Sequence, residues 1–322
     1  MKKLTYLLSA IATAFTANAY ADISVSGSAG LGYVNDATGD NNLVNSATVS
    51  FGMSTTTSGG LGIAASLGLS VSPSGEVDAT NGAISTGGQT LTFTTGGSTI
   101  KIGDIEIADT PGSVGSVVEA NTGENNAITH VVAGGFADDD GNGVSLSTGD
   151  GMATVSIGHI WATATNSRAD ITNSTTTATA FGVSVPVGGW TLSAGTATHD
   201  DTAEASGFSV SGAIGGGTLT VGYGTQKTPA SSTNAAYTEA TAAGDANVMG
   251  ATYAMALDAD TSVKIGYKNR KDQDDDSLTQ FDVYASRSLG GGASVYVDMR
   301  SITATGTGNG GTAFGFGTSV SF

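Results

Sequence analysis

The sequence predicts an all-β chain folded as a transmembrane, antiparallel, up-and-down β-barrel of about 16 strands. Three observations carry that reading. Apolar side chains recur with a period of two: in Gly311–Phe322 (GTAFGFGTSVSF), Thr312, Phe314, Phe316, Thr318, Val320 and Phe322 fall on one face, and Ala313, Gly315, Gly317, Ser319 and Ser321 on the other. Short turns rich in Gly or Asp alternate with long polar connections, the rhythm of hairpins running between two rims. The composition agrees, with 49 Gly but 4 Pro, no Cys and a mean hydropathy of +0.06. That hydropathy is too polar for membrane helices and suits strands with one lipid face and one wet face.

In chain order, the first element is a leader. Met1 is followed by Lys2 and Lys3, then by an apolar stretch, then by Ala19-Tyr20-Ala21, a small-x-small cleavage pattern. Residues 1–21 are therefore expected to be a cleaved signal peptide, and residues 22–322 the mature barrel domain. The apolar stretch is too short for a spanning helix, and no later stretch approaches the ~20 apolar residues one needs. Export without Cys leaves no disulfide to stabilise the fold, which must rest on an extensive hydrogen-bonded sheet or on assembly.

From Asp22 the hairpins follow one another. Tight turns are expected at Ser58-Gly59-Gly60, Gly96-Gly97-Ser98, Gly149-Asp150-Gly151, Val187-Gly188-Gly189, Gly215-Gly216-Gly217, Asp258-Ala259-Asp260 and Gly290-Gly291-Gly292. Between them lie polar stretches at Asn35–Leu43, Ser72–Gly88, Asp104–Asn142, Ala164–Thr176, Asp200–Glu204, Lys227–Ala246, Asn269–Ser277 and Thr303–Gly311. Seven short and eight long connections join sixteen strands. A lipid band of ~25 Å crossed at ~40° needs about ten residues per strand, which stretches such as MATVSIGHIWAT (from Met152), WTLSAGTAT (from Trp190) and ASVYVDMRSI (from Ala293) supply.

Parity assigns faces. Val295, Val297 and Met299 point to lipid and Tyr296, Asp298 and Arg300 inward; likewise Ile100 and Ile102 against Lys101, and Val263, Ile265 and Tyr267 against Lys264 and Lys268. Arg287 breaks the rule by sharing parity with Phe281 and Val283, and its place beside the Gly290 turn lets it snorkel to the interface. Tyr33, Trp161, Trp190, Tyr223, Tyr267 and Phe322 sit near strand ends, as interfacial girdles do. The last strand, ending on Phe322, is expected to meet the first, Asp22–Val34, and so abolish both sheet edges.

Taken together, the leader, the hairpin rhythm, the long connection after TIKIG (from Thr99) and the terminal Phe resemble the Gram-negative outer-membrane porins of the sixteen-stranded, trimeric, general-diffusion type. The resemblance covers essentially the whole mature chain. It implies an outer-membrane homotrimer, and a third loop (Asp104–Asn142) folded into the lumen to narrow it. It also implies a C-terminal signal for the barrel-assembly machinery, which Phe314, Phe316, Val320 and Phe322 fit and Thr318 fits less well. The chain departs from the family where many relatives set Arg and Lys on early strands against loop carboxylates: strands one to four here contain no basic residue.

That departure leads to an acid-dominated constriction at Asp104, Glu106, Asp109, Glu119 and Glu124, with Lys101, Lys264, Lys268 and Arg300 as the inward cations. The expected function is a passive water-filled channel for small hydrophilic solutes and ions, preferring cations. The alternatives are a substrate-selective porin for one nutrient class, and an exported adhesin or surface β-protein. A formal net charge of −17, from 11 basic and 28 acidic residues, argues against nucleic acid as a partner. The expected partners are outer-membrane lipid, the assembly machinery, two further copies of the chain and small solutes. Asp138, Asp140 and Asn142 form an acidic turn of the kind that admits Ca²⁺, although a solvated loop is the commoner meaning; no other cofactor is expected. His130, His159 and His199 lack ligand spacing, and no nucleophile elbow or phosphate loop is present, so no enzyme is expected.

Overall fold

The computed structural model describes residues 22–35, 41–71, 84–106, 140–163, 177–199, 203–228, 244–271, 277–305 and 311–322. The described residues form sixteen strands: β1 (Asp22–Asn35), β2 (Asn41–Thr56), β3 (Gly62–Val71), β4 (Ile84–Thr95), β5 (Ser98–Glu106), β6 (Asp140–Gly149), β7 (Thr154–Thr163), β8 (Ala178–Val187), β9 (Trp190–His199), β10 (Ala203–Ile214), β11 (Gly217–Thr228), β12 (Gly244–Ala256), β13 (Thr261–Lys271), β14 (Ser277–Gly290), β15 (Ala293–Ala304) and β16 (Gly311–Ser321). Each pairs antiparallel with its sequence neighbours, and β1 pairs with β16, so the sheet closes on itself.

All seven short turns lie where the sequence places them, at 57–61, 96–97, 150–153, 188–189, 215–216, 257–260 and 291–292. Two of them show why glycine is required: Gly188 and Gly189 have φ of 58° and 86°, and Gly215 and Gly216 have 56° and 86°. Paired positive φ values are the mirror-image hairpin turn, whose twist matches the flanking strands and which Cβ-bearing residues resist.

The burial pattern is inverted relative to a soluble domain. Large apolar side chains such as Phe316 (54% exposed), Val297 (53%) and Phe208 (53%) face out, whereas Lys268, Gln280 and Asp282 are fully buried on the inward side. Water as the outer solvent would penalise such a surface, and hydrocarbon does not. Tyr33 lies across the seam against Phe314 and Phe316, with ring centroids 6.2 and 5.4 Å away, and Tyr223 packs on Phe208 at 6.2 Å. The seam ends in a reciprocal pair: Gly27 N–H donates to the Phe322 carbonyl (3.1 Å) and Phe322 N–H to the Gly27 carbonyl (3.0 Å).

At the short-turn rim, Arg287 has a partner that parity could not show. Its guanidinium lies 3.6 Å from an Asp258 carboxylate oxygen and donates to Thr261 Oγ1 at 3.0 Å. Asp258 also accepts from the Asp260 and Thr261 N–H groups, both at 2.8 Å. The Asp260 amide first, then the Thr261 hydroxyl, hold its carboxyl below the usual carboxylate range. A group depressed in the folded state stabilises above its unfolded value and stops doing so as pH falls through its folded value. Asp258→Ala is therefore expected to lower the urea midpoint at neutral pH, and the difference from the parent is expected to shrink below pH about 4. A pH-independent difference would remove the turn's carboxylate from the explanation.

Candidate functional site: the inner wall

Most of the inner wall is built from residues with little or no side chain. Inward positions of β6 to β12 are mainly Gly, Ala, Ser and Thr, and opposed hydroxyls bond to one another across the ladder: Ser184 to Ser193 at 3.0 Å, Ser211 to Thr220 at 2.8 Å. The same device recurs at Ser262–Ser286 (2.9 Å) and Ser294–Ser319 (2.7 Å). Hydroxyl pairs satisfy one another while keeping lone pairs for water, so the wall is wettable without charge. An exception is a buried apolar patch of Ile105, Ile160, Ala178, Ala180 and Ala197 on β5 and β7 to β9.

Charge gathers on three adjacent strands. On β13, Lys264, Lys268 and Arg270 share the inward parity; β14 contributes Gln280, Asp282 and Tyr284, and β15 contributes Tyr296, Asp298 and Arg300. Register places Asp282 opposite Arg300 on one side and Gly266 on the other, with Lys268 opposite Gln280 and Lys264 opposite Tyr284. Arg300 Nε lies 3.1 Å from Asp282 Oδ1, and Gln280 Nε2 donates to Asp282 Oδ2 at 2.7 Å. Lys264 Nζ sits 5.5 Å from the Tyr284 ring centre, and that ring stacks on Tyr296 with centroids 6.3 Å apart.

Tyr296 lies flat because its neighbours are glycines. A Cβ on Gly32 would meet the Tyr296 hydroxyl at 2.5 Å, and one on Gly317 would meet both that hydroxyl and, at 2.6 Å, the Leu31 carbonyl. Neither glycine has a positive φ, so close approach and not backbone conformation is what demands Gly there.

The predicted site residues fall into three groups. Lys264, Lys268 and Arg300 belong to the charged sector, and Lys101 takes the inward parity of β5 between Thr92 and Ser145. Asp104 and Glu106 are on β5 itself, opposite Asn142 and Asp140, so the strand runs three residues beyond its predicted end at Gly103 and the long connection spans 107–139. Asp104 takes the parity of Ile100 and Ile102, opposite to Lys101. Asp109, Glu119, Glu124 and Asp138, and the folding of the third loop, lie outside the described residues. Among the described residues no three of His, Cys, Asp or Glu come together as metal ligands. Phe314, Phe316 and Val320 face outward, and Phe322 is 77% exposed at the rim.

Asp282, Gln280, Tyr284 and Arg270 were not singled out from the sequence. The signal is present on β14, where Phe281 and Val283 fix the outward parity and hence put Gln280, Asp282 and Tyr284 inside, although Arg287 breaks that parity on the same strand.

A closed barrel with hydrocarbon-facing side chains outside and a polar wall inside defines an outer-membrane channel protein. The chain belongs to the Gram-negative porin family, whose family model matches residues 7–307. No curated protein matches the chain in sequence. Among solved structures it is similar to OmpF of Salmonella typhi in complex with daunomycin, with 13% identity, a TM-score of 0.72 and 93% and 97% of the two chains covered. It is also similar to a loop-L8 deletion mutant of OmpT, an outer membrane protein of Vibrio cholerae (13% identity, TM-score 0.71, 94% and 99% covered). A third is the anion-selective porin from Comamonas acidovorans (13% identity, TM-score 0.65, 94% and 100% covered). At these identities the likeness is one of fold.

Proposed function

We propose that this outer-membrane diffusion channel passes small hydrophilic solutes and ions without a substrate-specific site, prefers cations, and works as a homotrimer. The observation that carries the diffusion reading is the inner wall itself, hydroxyl-lined over much of its circumference, with most of the inward charges of the described strands gathered on β13 to β15. Such a wall offers water continuous hydrogen bonding along the path of a solute.

The cation preference rests on the segment Asp104–Asn142, which carries eight carboxylates and neither Lys nor Arg. Its roots, β5 and β6, stand halfway round the ring from β13 and β14. Fixed carboxylates enrich cations within a Debye length, ~8 Å at physiological salt. Replacing Asp109, Glu119 and Glu124 by Asn or Gln is expected to move the reversal potential under a KCl gradient toward the anion side. An unchanged value would reject their role, and the same triple change tests Asp104 and Glu106 when added to it.

A second reading, anion preference, is favoured by the inward positions of the described strands. There the five cations Lys101, Lys264, Lys268, Arg270 and Arg300 outnumber the three acids Asp22, Asp282 and Asp298. The sign of the wild-type reversal potential separates the two. The trimer is supported by the likeness to OmpT of Vibrio cholerae in its trimer form (12% identity, TM-score 0.68). Unheated electrophoresis and cross-linking are expected to give a species of three chains. Outer-membrane lipid and the barrel-assembly machinery complete the proposed partners, with Phe314, Phe316, Val320 and Phe322 as the assembly signal. Ca²⁺ at Asp138, Asp140 and Asn142 remains a proposal testable by the ion's effect on thermal unfolding.

A further inference from the structure

We propose that Asp282 sets the effective charge of the β13 to β15 wall and thereby tunes the channel's ion preference. Asp282 is fully buried, and its two carboxylate oxygens are engaged from opposite directions, Oδ1 by Arg300 Nε at 3.1 Å and Oδ2 by Gln280 Nε2 at 2.7 Å. Its cross-strand neighbour on β13 is Gly266, which has no side chain, and the inward residues on either side of that glycine are Lys264 and Lys268. Diagonal neighbours on a sheet lie within reach of long side chains. A single carboxylate is thus ringed by three cations, Lys264 and Lys268 on one strand and Arg300 on the other.

The other acid of the sector, Asp298, is registered with Tyr284 on β14 and Gly315 on β16, whereas Asp282 is registered with Arg300 itself. With the Asp282 side chain in place, Arg300 and Lys268 are held in the wall, buried to 3% and 0% exposure, and their field is largely cancelled before it reaches the lumen. Without it, the guanidinium loses its paired carboxylate in a low-dielectric wall, and the favourable escape is rotation into lumen water. The wall then gains both unneutralised charge and side-chain bulk.

The inference rests on the chain conducting ions and not on the sign of its preference. A wild-type reversal potential of either sign leaves it intact. The test is a double-mutant cycle in planar bilayers under a KCl gradient, using Asp282→Asn, Arg300→Gln and the two combined, each first shown to migrate as a folded, heat-modifiable barrel. Asp282→Asn is expected to lower the K⁺ to Cl⁻ permeability ratio about two- to fivefold. Arg300→Gln is expected to raise it, and the double variant to return it to within a factor of about 1.5 of the parent. If Asp282→Asn fails to fold, the Arg300→Gln and double-variant channels carry the test through the predicted rise and its reversal. A folded Asp282→Asn channel with the parental ratio, or a double variant displaced as far as the single, overturns the proposal.

Discussion

A Val297→Arg substitution is expected to destabilise the folded barrel by about 2–4 kcal/mol, the cost of a cation at the lipid face near the bilayer midplane. Val297 lies in the middle of β15, opposite Phe316 on β16 and Ala285 on β14, and its side chain is 53% exposed in the absence of lipid. In a bilayer that exposure becomes hydrocarbon contact, and no carboxylate is registered opposite it. The counterpart on the wet face is Ser211→Arg. Ser211 points inward and exchanges a hydroxyl hydrogen bond with Thr220 at 2.8 Å, and an Arg there reaches lumen water. It is expected to leave the unfolding free energy within about 1 kcal/mol of the parent while shifting the reversal potential toward anions. Equal destabilisation by the two substitutions would mean that the faces have been assigned wrongly.

The second large effect is expected at the seam. Gly27→Val places a Cβ 2.6 Å from the Phe322 ring and 2.9 Å from the Thr48 carbonyl oxygen. The ring swings away at little cost, but the carbonyl belongs to the β1–β2 ladder, where Ser28 is registered with Thr48, and does not yield alone. Overpacking of this kind costs about 1–3 kcal/mol, and here it falls on the two backbone hydrogen bonds that fasten the last residue to the first strand. The expected result is a marked fall in the yield of heat-modifiable barrel. Ala29→Val, on the same face of β1 with its side chain exposed, is the control and is expected to fold normally. A normal yield for Gly27→Val would show that the terminal residue is not needed to hold the closed sheet.

These two positions also show which parts of the architecture are legible in one-dimensional order. Alternation and turn chemistry are local, so the face of Val297 follows from Val295 and Met299, and each hairpin turn follows from its own Gly or Asp residues. The closure of β1 on β16 follows from one global argument, that a membrane sheet tolerates no edges. What parity cannot supply is register, because pairing opposite residues depends on shear and on turn length at every preceding hairpin. The ion pair of Asp282 with Arg300, the seat of Tyr296 over Gly32 and Gly317, and the partnership of Arg287 with Asp258 are all facts of register. Each of those residues could be placed on a face from sequence, and none could be paired.

The constriction is the harder case. Asp104 and Glu106 read as loop residues because polar residues follow Gly103, yet both remain on β5, paired with Asn142 and Asp140. A strand that extends past the apolar band looks like a loop in composition, since the pattern that marks strands is set by lipid and ends with it. The concentration of wall charge on β13 to β15 is partly visible in the sequence, through Lys264, Lys268 and Arg300, but the pairing of Asp282 on β14 with Arg300 depends on register.

The decisive experiment is single-channel recording of the refolded protein in a planar bilayer, with the reversal potential measured under a KCl gradient. Stepwise, ohmic openings that reverse on the cation side are the predicted result. Reversal on the anion side would contradict the role given to the carboxylates between Asp104 and Asn142, and silence from protein that migrates as a folded, heat-modifiable barrel would contradict the open channel itself.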